Sequence, residues 1–367
     1  MIGLIDSTLR EGEQMSGIYF SLRQKLEIVK RLAGIGIEEI ELGIAAMSPE
    51  MPELMTQARL LAPCARLALW CRGLLPDIRE SAALYPDVLS ITLPISDLHI
   101  TKRLGKDRPW LLRQIPIVIE EARQHGVPFI SLGLEDTTRA DPLFLAAVLR
   151  QAEVAGADRV RLSDTVGHAT PLFLAKLVQS VKKQVTMQVG VHTHNDFGMA
   201  TANAISALEA GTDWADVTLL GLGERAGNAR LEEVVGYYAI RKQRFQYDTT
   251  RLYGACRVVA RMAGMPISPI HPLVGKNIFA CESGLHLDGL AKDPQTYEPF
   301  PPERVQAVRK VVLGKKAGRN AVLTRLGALG LAITREDALD ITQRVRSTAQ
   351  QLGRPLTNGE LERLIEN

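Results

Sequence analysis

A (β/α)8 barrel of the α/β class, followed by a small and mainly helical accessory region, is the fold the sequence predicts. Three observations carry it. Eight short runs of β-branched and apolar residues recur between residues 2 and 220, longer stretches of helical period separate them, and the alternation stops near residue 245. Eight β-then-α units over about 240 residues match the size of such a barrel, with a doubly wound open sheet as the alternative. The expected division is a barrel over 1–250 and an accessory region over 251–367.

Taken in order, strands are expected at 2–6 (IGLID), 38–42 (EEIEL), 66–70 (RLALW), 87–93 (DVLSITL), 128–134 (PFISLGL), 158–163 (DRVRLS), 187–192 (MQVGVH) and 214–220 (WADVTLL). Between them, Ser21 before LRQKLEIVKRLAGIG, Asp141 before Pro142 and Thr170 before Pro171 are helix start signals. The two prolines fall in a first helical turn, where a missing N–H costs no hydrogen bond. Beyond the barrel, 251–264 reads as a helix and MPISPIHPLVG as a proline-rich connector. NIFACESGLHLDGLAKDPQTYEPFPPERV reads as a polar stretch without period, and the chain from about 316 as small helices.

Composition narrows the function. The 367 residues are 46% hydrophobic, enough to bury a large core. A net charge of +3, with Lys and Arg spread along the chain, argues against nucleic acid or an anionic membrane surface as partner. Cys64, Cys71, Cys256 and Cys281 form no C-x-x-C pair and read as reduced thiols of a cytoplasmic protein. Asp6 and Arg10 interrupt the N-terminal apolar run, so neither a signal peptide nor a spanning helix is expected.

In barrels of this kind chemistry sits at the C-terminal ends of the strands. The first strand here runs into Asp6, Arg10, Glu11 and Glu13, and the second ends at Glu41. The fifth ends at Glu135 and Asp136, the sixth at Ser163, Asp164 and Thr165, and the seventh at His192 and His194. Residues i and i+2 of a strand share a face, so the two histidines can meet one divalent ion, with Glu11 completing the site. The alternative is a pair of surface-turn histidines. Asn195 and Asp196 are expected to fix the ring tautomers, or else to cap a helix starting at Phe197. Arg10 would lie beside the ion and stabilise an oxyanion. GLGERAGN, 221–228, is not a dinucleotide fingerprint; its glycines permit a tight loop that brings Asn228 near the ion.

DSTLREGEQ, HTHNDFGMATAN, GLGERAGN and ESGLHLDG together resemble the acyl-transferring synthases of the DRE-TIM metallolyase superfamily, which are TIM barrels. The group contains isopropylmalate, homocitrate, citramalate and Re-citrate synthases. The resemblance covers nearly the whole chain and is greatest to homocitrate synthases of the nitrogen-fixation type, to which WCR at 70–72 and SLGLED at 131–136 are also similar. The end at residue 367 leaves no room for the long regulatory domain typical of isopropylmalate synthases.

The resemblance implies a divalent metal cation (magnesium, manganese or zinc) on Glu11, His192 and His194, with Asn228 at or near it. It places Arg10 at the keto oxygen of a 2-oxo acid, and Glu41, Glu135 and Thr165 in the pocket for that acid or the acetyl group. His286 and Tyr297 match a His and a Tyr of an accessory region that reaches the neighbouring subunit's active site, which implies a homodimer. The implied reaction is condensation of acetyl-CoA with a 2-oxo acid followed by thioester hydrolysis, with His286 as base or its partner and Glu135 and Tyr297 assisting. With 2-oxoglutarate the product is homocitrate. Re-citrate, citramalate or isopropylmalate synthesis are alternatives, and a hydroxymethylglutaryl-CoA-type lyase is an alternative of another class. In two places the chain departs from relatives: lysine-pathway homocitrate synthases have an arginine and a serine where this chain has Ser131 and Gly133, and many relatives have a histidine at Cys281. With that clamp missing, Arg72 is expected to hold the distal carboxylate, with a solvated loop arginine as the equal alternative.

Overall fold

The computed structural model describes residues 2–366 apart from Phe245, Ala332 and Arg335, and the side chain of Glu366 is likewise outside it. Eight strands form a closed parallel barrel: β1 (Gly3–Asp6), β2 (Glu39–Ile44), β3 (Arg66–Arg72), β4 (Val88–Pro94), β5 (Ile130–Glu135), β6 (Arg159–Asp164), β7 (Gln188–Thr193) and β8 (Trp214–Val217). β8 closes on β1, with Gly3 beside Trp214 and Asp6 beside Val217. The last strand ends before the expected residue 220. Leu219–Gly221 turns into a short 3-10 segment, with Leu220 at φ 61.

Around the barrel lie α1 (Leu22–Ile35), α2 (Met51–Leu61), α3 (Leu75–Ala82), α4 (Arg108–Gln124), α5 (Pro142–Val154), α6 (Pro171–Lys182), α7 (Ala200–Glu209) and α8 (Leu231–Gly236). Their starts obey local chemistry. Ser21 and Gln24 form a capping box, Asp141 accepts from the Phe144 N–H at 2.8 Å, and Thr170 accepts from Phe173 at 3.3 Å. α7 begins at Ala200, not at Phe197, and Asn195 Oδ1 accepts from the Ala200 N–H at 3.1 Å.

Both faces of the strands are buried along most of their length, but they differ in chemistry. On β6, Val160 and Leu162 face the apolar layer under the helices, while Arg159 and Arg161 point inward. The interior is therefore stacked with ion pairs. Arg159, fully buried, donates to both Glu39 oxygens at 2.5 and 3.1 Å, and Arg66 reaches the same carboxylate at 2.7 Å. Gly3 stands where a Cβ would overlap the Trp214 ring, so only glycine lets that indole cover the floor.

The chain divides into two units, 1–266 and 267–367. The division follows α9 (Leu252–Met262) rather than residue 250, because Leu252, Ala255, Cys256 and Val259 are buried and the helix packs on α1. The second unit has a two-stranded parallel sheet of β9 (Ala280–Cys281) and β10 (Lys310–Val311), with α10 (Gly284–Lys292), α11 (Arg319–Ala328), α12 (Asp337–Leu352) and α13 (Asn358–Glu366). Its own core joins Leu313, Val322, Leu326, Ile341, Val345 and Leu361. α10 lies in the stretch expected to lack periodicity. Ala332, Arg335 and Asn367, within the helical stretch expected from 316, lie outside the described residues. Among the described residues no helix is long and apolar enough to cross a membrane.

Candidate active site

β7 and the residue that follows it deliver His192 and His194 from alternate positions to the C-terminal mouth of the barrel, and the turn after β1 brings Glu11 to the same point. The ligand atoms of these three residues lie within 4.8 Å of one another, and all three side chains are buried. The two Nε2 atoms are 3.1 Å apart, and Glu11 oxygens stand 3.8 and 3.7 Å from His192 and His194. His192 donates its Nδ1 proton to Asp216 Oδ2 at 2.8 Å, which leaves the lone pair on Nε2, facing the other two groups. Burial pushes His192 down against the pull of Asp216. Burial and the neighbouring His192 push His194 down to about 2, so both rings are neutral. Neutral imidazoles plus a carboxylate make a donor set that fits a divalent cation. Asn228 Oδ1 is buried and has no hydrogen-bond partner among the described residues.

The loop before Asn228 shows why glycines are needed there. Asn228 pairs with His194 in an isolated bridge, and its Nδ2 donates to Leu222 O at 3.1 Å. A Cβ on Gly223 would overlap that nitrogen, and one on Gly227, at φ 88, would overlap the Gly221 carbonyl.

From His192 a chain of charges runs across the barrel axis. Asp216 Oδ2 lies 3.0 Å from Arg161 Nη1, which also donates to Glu41 Oε1 at 3.1 Å. Glu41 Oε2 accepts from Arg10 Nε and Ser7 Oγ, both at 2.6 Å. Arg10 in turn pairs with Glu11 and lies over the Trp70 ring, 5.6 Å from its centroid. Burial alone would raise the Glu41 carboxyl, but the guanidinium groups of Arg10 and Arg161 hold it well below the usual carboxylate range. Asp216 is thus the group that fixes the His192 tautomer. Asp216→Asn is expected to weaken divalent-ion affinity about 10–100-fold, measured by calorimetric titration, with the thermal melt lowered also without metal because Asp216 pairs with the buried Arg161.

A cavity of about 200 Å³ opens here, and residues singled out from the sequence line it, among them Arg10, Glu11, Glu135, Ser163, Thr165, His192 and His194. Glu135 pairs with Arg103 and sits 3.2 Å from His99 Nδ1, and Thr165 Oγ1 accepts from the Asp136 N–H at 2.8 Å. A larger hollow of about 380 Å³ lies at the opposite face between α1 and α2, but its one acid, Glu38, is bound to Leu4 and Tyr247, and among the described residues no donor cluster forms there.

Three expectations need correction. Glu41, expected to touch the substrate, is fully buried and both its oxygens are taken, so it positions Arg10. Arg72 does not line the cavity. Its side chain is 61% exposed, and its guanidinium grips Asp77 in the first turn of α3 at 2.7 and 3.1 Å. Asn195 and Asp196 do not fix the imidazole rings. Asn195 caps α7, and Asp196 binds Arg225 at 2.8 and 2.9 Å. His286 and Tyr297 belong to the second unit, where their rings stack 4.3 Å apart on the surface; Gly289, one turn along α10, leaves room for the Tyr297 ring.

Residues 1–259 match the family model described as HMGL-like. The chain belongs to the HMGL-like family. Residues 273–352 of this HMGL-like chain also match a homocitrate synthase post-HMGL domain-like model. It is 40% identical over 365 residues to the 2-isopropylmalate synthase 2 of Caldanaerobacter subterraneus subsp. tengcongensis, covering 99% of the chain and 95% of the relative. It is 38% identical to homocitrate synthase 1 of Nostoc sp., covering 98% and 96%. It is equally 38% identical to the (R)-citramalate synthase of Methanocaldococcus jannaschii, covering 100% and 74%. These relatives place it with the isopropylmalate, citramalate and homocitrate synthases of the DRE-TIM metallolyase superfamily. Among solved structures, the hydroxymethylglutaryl-CoA lyase of Pseudomonas aeruginosa shares the fold at a TM-score of 0.64 and 22% identity, covering 72% of the chain and 94% of the lyase.

Sequence reading of this HMGL-like chain missed Asp216, Arg161, Thr92 and Arg103. For the first two a signal existed: charged residues inside otherwise apolar strands (WADV, RVRLSD), at the inward parity of β8 and β6.

Proposed function

We propose that this chain condenses acetyl-CoA with 2-oxoglutarate and hydrolyses the thioester, releasing homocitrate and CoA. It is an enzyme of an acetyl-CoA-condensing synthase family, whose members convert the acyl group into an alkyl group on transfer. The observation that carries the reading is the convergence of Glu11, His192, His194 and Arg10 on one polar cavity. A divalent cation held by Glu11, His192 and His194, beside Asn228, supplies polarisation of a 2-oxo acid's carbonyl when bound.

The chain's own groups do the rest. Arg10, anchored by Glu41, faces the oxygen that turns from carbonyl to alkoxide and stabilises its charge. Thr165 borders the acid's position at the mouth. Glu135, with the stacked His286 and Tyr297 of an accessory region, takes the proton from the acetyl methyl group. The methyl C–H bond breaks, a C–C bond forms to the keto carbon, and the alkoxide takes a proton. Water then cleaves the thioester C–S bond and CoA leaves as its thiol.

The choice of acid rests on the cavity's polarity. Thr92, Arg161 and Ser163 line its inner wall, where the isopropyl branch of 2-oxoisovalerate would desolvate a guanidinium and two hydroxyls. Free-CoA release from acetyl-CoA with 2-oxoglutarate, oxaloacetate, pyruvate and 2-oxoisovalerate tests it. We expect 2-oxoglutarate to be preferred, and a preference for 2-oxoisovalerate would sink the homocitrate reading. Cleavage of an acyl-CoA with no condensation would favour the lyase reading instead.

The working unit in this reading is a homodimer in which each accessory region supplies His286 to the partner's barrel. Inactive His286→Ala and inactive His194→Ala proteins, mixed under conditions of subunit exchange, are expected to regain part of the activity. No recovery in demonstrably mixed dimers would count against a shared site.

A further inference from the structure

The second carboxylate of a dicarboxylic 2-oxo acid needs a charge-assisted partner in so buried a place. Among the cavity's cations, Arg10 is taken up by Glu41 and Glu11, and Arg103 pairs with Glu135 at the half-exposed rim. Arg72 is outside the cavity, clasping Asp77. One cation is left with unused capacity.

We infer that Arg161 and Thr92 form the subsite that binds the distal carboxylate of the substrate, an inference that rests on the dicarboxylate reading given above. The two residues stand at one level of the barrel. Thr92 on β4 is in register with Gly133 on β5, and Gly133 is in register with Arg161 on β6, which is in turn beside Gly190 on β7. Two side-chain-free positions therefore flank the guanidinium and leave the space beside it open. A Cβ on Gly133 would press within 2.6 Å of Thr92 Oγ1, so glycine there leaves room for that hydroxyl.

Hydrogen-bonding capacity points the same way. Arg161 spends only Nη1 on Glu41 and Asp216; among the described residues its Nη2 and Nε have no partner, although the residue is only 2% exposed. Thr92 Oγ1 is buried and likewise has no partner. Both residues line the cavity. A buried hydroxyl left unpaired costs free energy unless a ligand meets it, and a carboxylate in the cavity accepts from that hydroxyl and from the guanidinium's unused N–H groups. Burial opposes the Arg161 charge, but Asp216 and Glu41 keep it protonated, so the cation is permanent. The clamp that relatives draw from β5 is here supplied by its two neighbouring strands.

The test compares kcat/KM for 2-oxoglutarate with that for 2-oxovalerate, which carries a methyl group in place of the distal carboxylate. It uses the full-length wild type, Thr92→Val and Arg161→Lys. The wild type is expected to prefer 2-oxoglutarate. Thr92→Val should cut that preference about tenfold and Arg161→Lys about tenfold or more, through KM for the oxo acid and not through KM for acetyl-CoA. Metal content and thermal melts are measured alongside, because Arg161 also anchors Glu41 and Asp216. Should Arg161→Lys fail to fold, Thr92→Val alone decides. A wild type that prefers 2-oxoglutarate, with the preference unmoved in the folded variants, overturns the subsite and leaves the homocitrate reading standing. A wild type that prefers 2-oxovalerate or 2-oxoisovalerate, or that condenses neither class, overturns both.

Discussion

Replacing His192 and His194 together with alanine is expected to abolish stoichiometric divalent-ion binding and to lower kcat/KM by about a thousandfold or more, the equivalent of the several kcal/mol that carbonyl polarisation supplies. The two imidazoles are two of the three clustered donors. With both gone, Glu11 is left as a single carboxylate already paired with Arg10. The fold should survive, because Asp216 keeps its ion pair with Arg161 and the barrel's lower layer of Glu39 and Arg159 is untouched. Elemental analysis of purified protein, activity after chelation and metal add-back, and a thermal melt together check this. A double variant that keeps full activity would refute the metal assignment, and one that merely unfolds would show up in the melt.

Arg10→Ala is expected to cost about 10²–10³ in kcat, the usual loss when one oxyanion-stabilising donor is removed. Arg10 is held from three sides, by Glu41 at 2.6 Å, by Glu11 and by the face of Trp70, so its position is set before any substrate arrives. A preorganised cation of this kind lowers the barrier without reorganising during the reaction. Arg10→Lys should recover only part of the loss, because an ammonium cannot hold Glu41 and Glu11 in the same fork and still point into the cavity. Steady-state kinetics with saturating acetyl-CoA separate the two cases. An Arg10→Ala enzyme whose kcat is unchanged while KM for the oxo acid rises would make Arg10 a binding group only.

Local periodicity was enough to place all eight barrel strands, seven of them within two residues at each end, and to bring Glu11, His192 and His194 together. A two-residue repeat decides which side chains share a face, and each strand of a barrel carries its last inward residues to the same mouth. The helix starts at Ser21, Asp141 and Thr170 were legible for the same reason: a cap acts on an amide only three residues away. α10 was hidden because its nine residues include two glycines and none is buried.

What the tertiary structure alone decided is how the charges pair. Arg72 looked free in the sequence, and the fold turns it onto Asp77 five residues later, at the start of a helix whose direction no strand pattern announces. Glu41 looked like a pocket residue, and a guanidinium 120 positions away, on a strand across the barrel, takes one of its oxygens. Asp216 reads as one acid inside an apolar run until the closure of β8 onto β1 sets it beneath His192. Parity along a strand is a property of the chain, but an ion pair across the axis depends on strand register and barrel closure. Those follow from how all eight strands pack together, so the sequence by itself determined the barrel and the cluster of Glu11, His192 and His194, and only tertiary packing decided which charged groups remain free to meet a substrate.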